Sequence, residues 1–356
     1  MSLLVLSAAD VAKASASMSP DKLQDLMASV FITLSQREGT LASTPHRTSI
    51  PTSQHTVLFM PARIATPALT GTTIKVVSVP SAPGDARGLP GSTLVLDEET
   101  GAVKAIVNSR SLTALRNAAG SLLSTRVVGM KTPTRIVAFG SGQQIEAHLN
   151  LFLRAYPSVV HCSIVNRSKN QRLQSLVKRM SEAFPHMDGL SLGMDDPKLP
   201  KGEVESAVRS GDIIICATSA TAPLFPSSWV KPGAHVILIG SYKPHMKEVD
   251  TALVNRALKG MLIVDSRDAC AQEAGELLEA KVDMAAVSEI GELVDMDAEG
   301  NLRMKSAQRA KKSARDDTIT MFKSVGVGLQ DVAIACATVD KARALELGTT
   351  VPGYDA

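Results

Sequence analysis

Ile136-Val137-Ala138-Phe139-Gly140-Ser141-Gly142-Gln143-Gln144, followed by Val160 to Val165 running into Asn166-Arg167-Ser168, decides how this chain folds. A short apolar run ends in Gly-x-Gly and a helical stretch follows. A second strand-like run then ends in an amide, a guanidinium and a hydroxyl. That order reads as the first βαβ unit of a dinucleotide-binding domain. The glycines let the backbone approach a pyrophosphate seated at the positive end of the next helix. The group after the second strand meets the adenosine ribose. A carboxylate there would accept from the 2′-hydroxyl of NAD(H). None stands at that point, and Arg167 suits a 2′-phosphate, so the motif predicts NADP(H) as the preferred cofactor, with NAD(H) second. The third fingerprint position is Ile145, where Gly or Ala is usual, so the helix is expected to stand slightly off the strand.

Outward from this unit the pattern continues. Thr132-Pro133-Thr134 marks a join. Beyond it, strands at Arg135 to Phe139, Val160 to Val165, Ile213 to Ala217, His235 to Ile239 and Met261 to Val264 alternate with helices such as Gln143 to Ala155 and Lys169 to Phe184. Alternation of this kind predicts an α/β fold, a doubly wound parallel sheet with helices on both faces. Gly189 to Lys201, rich in Gly, Pro and Asp, reads as a surface loop. Ahead of the join, Ser7-Ala8-Ala9-Asp10 reads as a capping box and Ser19-Pro20 as a cap with proline at the first helical position. Leu23, Met27, Val30, Phe31 and Leu34 make one apolar helix face. Gly39 to Thr56 is irregular. Val57 to Met60, Thr72 to Val79 and Ser92 to Leu96 read as strands, and Asp97 to Gly101 as a turn leading back into Val103 to Val107. Ser111 to Val128 is helical, and Val325 to Leu347 reads as a last helix.

The chain of 356 residues is 44% hydrophobic, enough for two domains with cores of their own. Its 38 basic and 35 acidic residues nearly cancel, and aromatics make up 3%, which argues against nucleic acid or an anionic membrane as the main partner. The basic run from Asn301 to Arg315 reads as a solvated face. Cys162, Cys216, Cys270 and Cys336 are far apart, as suits free thiols in a reducing compartment, and no metal-ligand spacing appears. Met1 to Leu6 lacks the features of a signal peptide, and no apolar run reaches membrane-spanning length, so a cytoplasmic protein is expected.

A nicotinamide cofactor brings its own hydride chemistry, so the protein must hold and orient a substrate. Three cations outside the nucleotide unit are candidates. Lys75 stands inside the apolar strand Thr73-Ile74-Lys75-Val76-Val77 and shares a face with Thr73 and Val77. Arg116 stands in a helix otherwise built of small and apolar residues, and Arg47 follows Pro45-His46. Singly, each reads first as a surface charge. Converging on one cleft open to solvent, they would clamp a carboxylate substrate, which would itself be the partner that Lys75 needs.

Several segments together resemble the ornithine cyclodeaminase/mu-crystallin family. They are Gly88-Leu89-Pro90 with the Asp97 to Val107 turn, Leu112-Thr113-Ala114-Leu115-Arg116-Asn117-Ala118-Ala119, Gly233-Ala234-His235-Val236 leading to Gly240-Ser241-Tyr242-Lys243-Pro244 and Glu248-Val249-Asp250, Phe322-Lys323-Ser324-Val325-Gly326, and Gln330-Asp331-Val332-Ala333. The resemblance implies a Rossmann domain over residues 131–326 and an α+β substrate-binding and dimerisation domain made of 1–130 and 327–356, hence a homodimer. By the same resemblance Arg47, Lys75 and Arg116 hold a carboxylate and approach the reacting carbon. Gly140, Ser141, Gly142 and Gln143 form the pyrophosphate turn. Asn166, Arg167 and Ser168 match the Asn-Arg-Thr of NADP-binding, mu-crystallin-like members, and Thr218, Ser219, Gly240, Ser241 and Ser324 fall near the nicotinamide. The chain departs from true ornithine cyclodeaminases. Leu58 and Ser241 stand where those enzymes carry a Glu and an Asp, and Asn117 replaces a usual Thr. Without the carboxylates, ring closure with loss of ammonia lacks its base. The expectation is therefore an NADP(H)-dependent reductase of an α-imino carboxylate such as a cyclic ketimine. The alternatives are a cyclodeaminase or amino-acid dehydrogenase of the same family, and a non-catalytic, crystallin-like NADPH-dependent binding protein.

Overall fold

The computed structural model describes residues 2–355 except 38, 40, 46, 82–88, 197–199, 201, 298–300 and 306–316. Gly88, His46 and most of the basic run after Lys305 therefore lie outside the described residues. The chain forms two compact units, Met1–Arg116 with Val327–Ala356, and Asn117–Gly326. The helix Leu112–Val127 contains the division.

The second unit is built on an eight-stranded parallel sheet, beside which Val294–Met296 and Leu302–Met304 form a small antiparallel pair. Its strand order is Asp188–Gly193, His161–Asn166, Arg135–Phe139, Ile213–Cys216, His235–Leu238, Thr320–Lys323, Met261–Val264 and Ser288–Glu289. The centre is buried on both faces, so its strands read as unbroken apolar runs such as Ile213 to Cys216. Chain order reverses between Arg135–Phe139 and Ile213–Cys216, the topological switch point at which α/β sheets open a crevice. This is the expected doubly wound α/β sheet with three additional strands, Asp188–Gly193, Thr320–Lys323 and the two-residue edge strand Ser288–Glu289. Asp188–Gly193 is an edge strand, not a loop. Its sequence lacks β-branched residues, and Gly193 is there because a Cβ would meet the Lys169 backbone nitrogen at 2.7 Å. Thr320–Lys323 enters late in the sequence, between His235–Leu238 and Met261–Val264.

Two buried histidines tie the helix Leu112–Val127 into this unit. His148 Nδ1 lies 2.7 Å from the Gln144 carbonyl, so it carries the proton, and its Nε2 accepts from the Ser121 hydroxyl at 2.9 Å. Ser124 gives its hydroxyl proton to the Ser121 carbonyl, which leaves its oxygen to accept from His235 Nε2 at 3.1 Å. These polar groups are fully buried.

The first unit is a mixed sheet. The order is Thr349–Val351, Leu3–Leu6, Val103–Asn108, Gly91–Leu96, Thr70–Pro80, His55–Ala65 and Ala42–Ser43, with Thr48–Pro51 also on His55–Ala65. Leu3–Leu6 pairs parallel to Val103–Asn108, and the other pairs are antiparallel. Part of the segment expected to be irregular is thus strand. Pro61 is tolerated mid-strand because it falls between the two short partners, where its missing N–H leaves no ladder bond unmade. The capping box forms as read, Asp10 N–H donating to Ser7 Oγ and Ser7 N–H to Asp10 Oδ2. Asp97 closes its turn by accepting from Thr100 N–H at 3.0 Å, with Gly101 at φ 72°.

The last helix, Gly328–Ala344, packs on the strands His55–Ala65 and Thr70–Pro80 and against the helix Pro20–Gln36. It approaches the sheet closely at Gly71, where a Cβ would meet Cys336 Sγ at 2.6 Å. Leu58, Met60, Thr73, Lys75, Val77 and Thr93 share the covered face by register, and Phe59, Ile74, Val76, Leu94 and Ile106 share the other. The second set is only half-buried. Among the described residues no helix is long and apolar enough to cross a membrane.

Candidate functional site

The Gly-x-Gly turn stands at the switch point. Gly140 has φ 117°, and a Cβ there would meet the Ala217 carbonyl oxygen at 2.9 Å, so only glycine fits. Its N–H donates to the Val165 carbonyl at 2.7 Å, joining the ends of the first two strands. Ile145 is fully buried against this turn, its Cγ1 3.3 Å from that same Cβ position. The branched side chain fills the space a third glycine would leave. Gly142 caps the helix Gln143–Ala155 without a side-chain hydrogen bond, which leaves the first N–H groups for another acceptor.

A cleft of about 580 Å³ opens above these residues. Gly140, Ser141, Gly142, Asn166, Arg167, Ser168, Thr218 and Ser219 line it, as does Arg172. Gln143 is exposed and does not contribute to the lining. The Asn166 amide donates to the Ser168 carbonyl at 2.9 Å and so shapes the loop that presents Arg167. No carboxylate lines the cleft, and among the described residues neither Arg167 nor Arg172 has an ion-pair partner. The donors, glycines and unpaired guanidinium groups fit a phosphorylated dinucleotide.

Beneath the cleft floor lies Glu248, wholly buried. One carboxylate oxygen accepts from Thr218 N–H at 2.6 Å and Thr218 Oγ1 at 2.8 Å, and the other accepts from Gly240 N–H at 2.8 Å. It binds together the ends of two strands. Gly240 has no alternative, since a Cβ would sit 2.0 Å from the Thr218 carbonyl oxygen. Burial pushes the Glu248 carboxyl above the usual range, against the pull of Lys323 and Thr218. The hydroxyls of Ser241 and Ser324 are spent internally, on the Met246 carbonyl and on Asp265 at 2.8 and 2.7 Å.

In the first unit Lys75 and Arg116 come together. Both are buried, at 3% and 5% exposure, so neither is the surface charge it resembles singly, and the solvent-open setting expected for Lys75 is not found. The partner of Lys75 is Asp331, 256 residues away on the last helix, at 2.6 Å. Its other oxygen lies 3.3 Å from Arg116 Nε. Gln330 accepts from Arg116 Nη1 at 2.5 Å, and Thr113 Oγ1 lies 3.4 Å from Lys75 Nζ. Arg47 is exposed, yet its charge reaches Lys75. Burial holds the Lys75 ammonium below the ordinary lysine range; Asp331 opposes this, and Arg116 and Arg47 add to it. Burial alone would raise the Asp331 carboxyl, but Lys75 and Arg116 outweigh it and the carboxyl stays below its usual range. Leu58, two residues from Met60 on the Lys75 face, brings no carboxylate. The sequence alone does not mark Asp331, Gln330, Glu248 or Arg172 as lying at these sites. The one signal for Asp331 is a carboxylate opening an otherwise apolar helical run, Val332-Ala333-Ile334-Ala335.

The sequence profile of the ornithine cyclodeaminase/mu-crystallin family matches residues 4–346. The Delta(1)-pyrroline-2-carboxylate reductase of Paracoccus denitrificans is 32% identical over 255 residues, 70% of this chain and 73% of that one. The ketimine reductase mu-crystallin of Rattus norvegicus is 28% identical over 343 residues, 92% and 97% of the two chains. Among solved structures, that of Thermococcus litoralis Delta(1)-pyrroline-2-carboxylate reductase in complex with NADH and L-proline superposes with a TM-score of 0.78. It covers 98% of this chain and 100% of that one at 23% identity, a likeness of fold.

Proposed function

The chain belongs to the ornithine cyclodeaminase/mu-crystallin family, and we propose that it is an NADP(H)-dependent reductase of an α-imino carboxylate, a cyclic ketimine of amino-acid origin. The observation that carries this reading is the convergence of Lys75 and Arg116 on one buried carboxylate. Such a group of cations suits a substrate carboxylate, and arginine gives it planar, paired contacts. Bound NADPH supplies the hydride that reaches the carbon of the C=N bond. The nitrogen must gain a proton in the same turnover. Lys75 is suited to give it, since burial and the neighbouring guanidinium groups weaken its hold on the proton while Asp331 fixes the ammonium in place. A protonated imine is already electrophilic, so no stronger acid is required. The product is an α-amino acid, cyclic if the imine was.

Arg167, at the end of its strand and with no ion-pair partner among the described residues, supports NADP(H) over NAD(H). The half-buried apolar face carrying Phe59, Ile74, Val76, Leu94 and Ile106 supports a homodimer formed through that sheet. Four unpaired thiols suit a reducing, cytoplasmic setting.

The test is NADPH oxidation against proline-type, piperidine-type and open-chain imino acids. Steady turnover on at least one cyclic imine is expected. Ammonia release from ornithine or lysine would support a cyclodeaminase instead, and NADPH binding without turnover on any imine would support a binding protein.

A further inference from the structure

Arg172 lines the cleft beside Arg167 without a role assigned to it, and its position is specific. It is the second residue of the helix Gln171–Ala183, whose first turn is fixed by Asn170 accepting from Leu173 N–H at 3.1 Å. Arg179 lies seven residues on, two turns down the same helix face. There its guanidinium pairs with both oxygens of Glu146, at 2.7 and 2.9 Å, and so pins this helix to Gln143–Ala155. The pin turns the Arg172 face toward the start of Gln143–Ala155. The Arg172 guanidinium accordingly lies over Gly142, one Nη 3.2 Å from where a Cβ would stand. Any side chain at position 142 would crowd it. It lines the same cleft as Arg167, and among the described residues it has no ion-pair partner.

The two arginines reach the cleft from different places. Arg167 follows directly from the second strand, on the ribose side. Arg172 covers the glycine turn itself, on the pyrophosphate side. We propose that Arg172 is a cofactor-binding residue that closes over the pyrophosphate of the bound dinucleotide, while Arg167 alone discriminates the 2′-phosphate. The proposal rests on the reading of the cleft as a dinucleotide site. It makes the two guanidinium groups separable, since the pyrophosphate is common to both cofactors and the 2′-phosphate is not.

The experiment measures binding of NADPH, NADH and adenosine 2′-monophosphate by calorimetry to the unmodified protein, Arg172→Ala and Arg167→Ala. Arg172→Ala is expected to weaken NADPH and NADH by the same factor, about ten- to a hundredfold, the scale of a charge-assisted contact. Adenosine 2′-monophosphate binding should be unchanged by it, and so should the melting temperature, because among the described residues the exposed side chain makes no hydrogen bond or ion pair. Arg167→Ala should weaken NADPH and adenosine 2′-monophosphate and spare NADH. Unchanged affinity for both dinucleotides in Arg172→Ala would overturn the proposal, as would loss of NADPH binding alone. If Arg172→Ala weakens both cofactors but the unmodified protein binds them equally, the Arg172 inference stands and the NADP(H) preference fails. An unmodified protein that binds neither dinucleotide refutes both.

Discussion

Among single residues Lys75 matters most to the proposed chemistry, and its break in the apolar pattern of the strand is legible in the sequence. Its partner was not legible, because Asp331 lies on the far end of the chain and only the closing helix brings it over the sheet. The partner changes what a substitution should do. Lys75→Met is expected to lower turnover by roughly a hundredfold or more, the scale of a proton-handling or positioning group, with NADPH affinity unchanged. It should also destabilise the protein by about 3 kcal/mol, since it leaves Asp331 buried beside Arg116 alone. Adding Asp331→Leu should restore much of that stability and none of the activity. Normal turnover in Lys75→Met, measured on an accepted imine, would remove Lys75 from the site. Arg167→Ala carries the cofactor prediction. A lost charge-assisted phosphate contact of roughly 1.5–3 kcal/mol corresponds to ten- to a hundredfold weaker NADPH binding with NADH little changed. Equal affinities in the unmodified protein would refute it.

At the element scale, what was legible followed packing on both faces. Arg135–Phe139 and Met261–Val264 are legible to the residue because parallel strands in the interior of a sheet read as near-continuous apolar runs. Asp188–Gly193 was missed because an edge strand needs little apolar sequence, and Thr48–Pro51 because a fully exposed strand carries no burial pattern. The helix Leu112–Val127 was read from its apolar residues, yet buried serines and histidines tie it into the second unit. Burial holds the His148 imidazole down to about 4, from an ordinary 6.5, against the help of the Gln144 carbonyl. Between those values the unfolded chain takes up a proton that the folded ring refuses. Stability is therefore lost as pH falls from 6.5 towards 4, by on the order of 3 kcal/mol from this group. Denaturant midpoints across that range should fall for the unmodified protein and fall less for His148→Gln. Equal slopes would mean that His148 is not the group responsible. Glu248→Ala should strand three donors in the floor of the cleft, lowering the melting temperature and weakening NADPH binding together. Lower stability with unchanged cofactor affinity would show that the two strand ends keep their place without it.

At the scale of the whole molecule, the half-buried apolar face of the first sheet predicts a dimer at micromolar concentration, read by sizing with light scattering. Val76→Asp, on that face, should shift it to monomer. A monomeric unmodified protein would contradict this. The α/β class and its sheet were legible in one βαβ unit, since glycine spacing and strand periodicity are local. The assembly of the site was not, because Lys75, Arg116 and Asp331 come from two strand-and-helix segments and a return of the chain after more than two hundred residues. The claim that joins these scales is hydride delivery to the carbon of a C=N bond beside a clamped carboxylate. It is tested most directly with NADPH carrying deuterium at the transferable position and a cyclic imino acid, the product being read by mass spectrometry and NMR. One deuterium at the α-carbon of the resulting cyclic amino acid is predicted. An unlabelled product, or deuterium at any other carbon, would contradict the account.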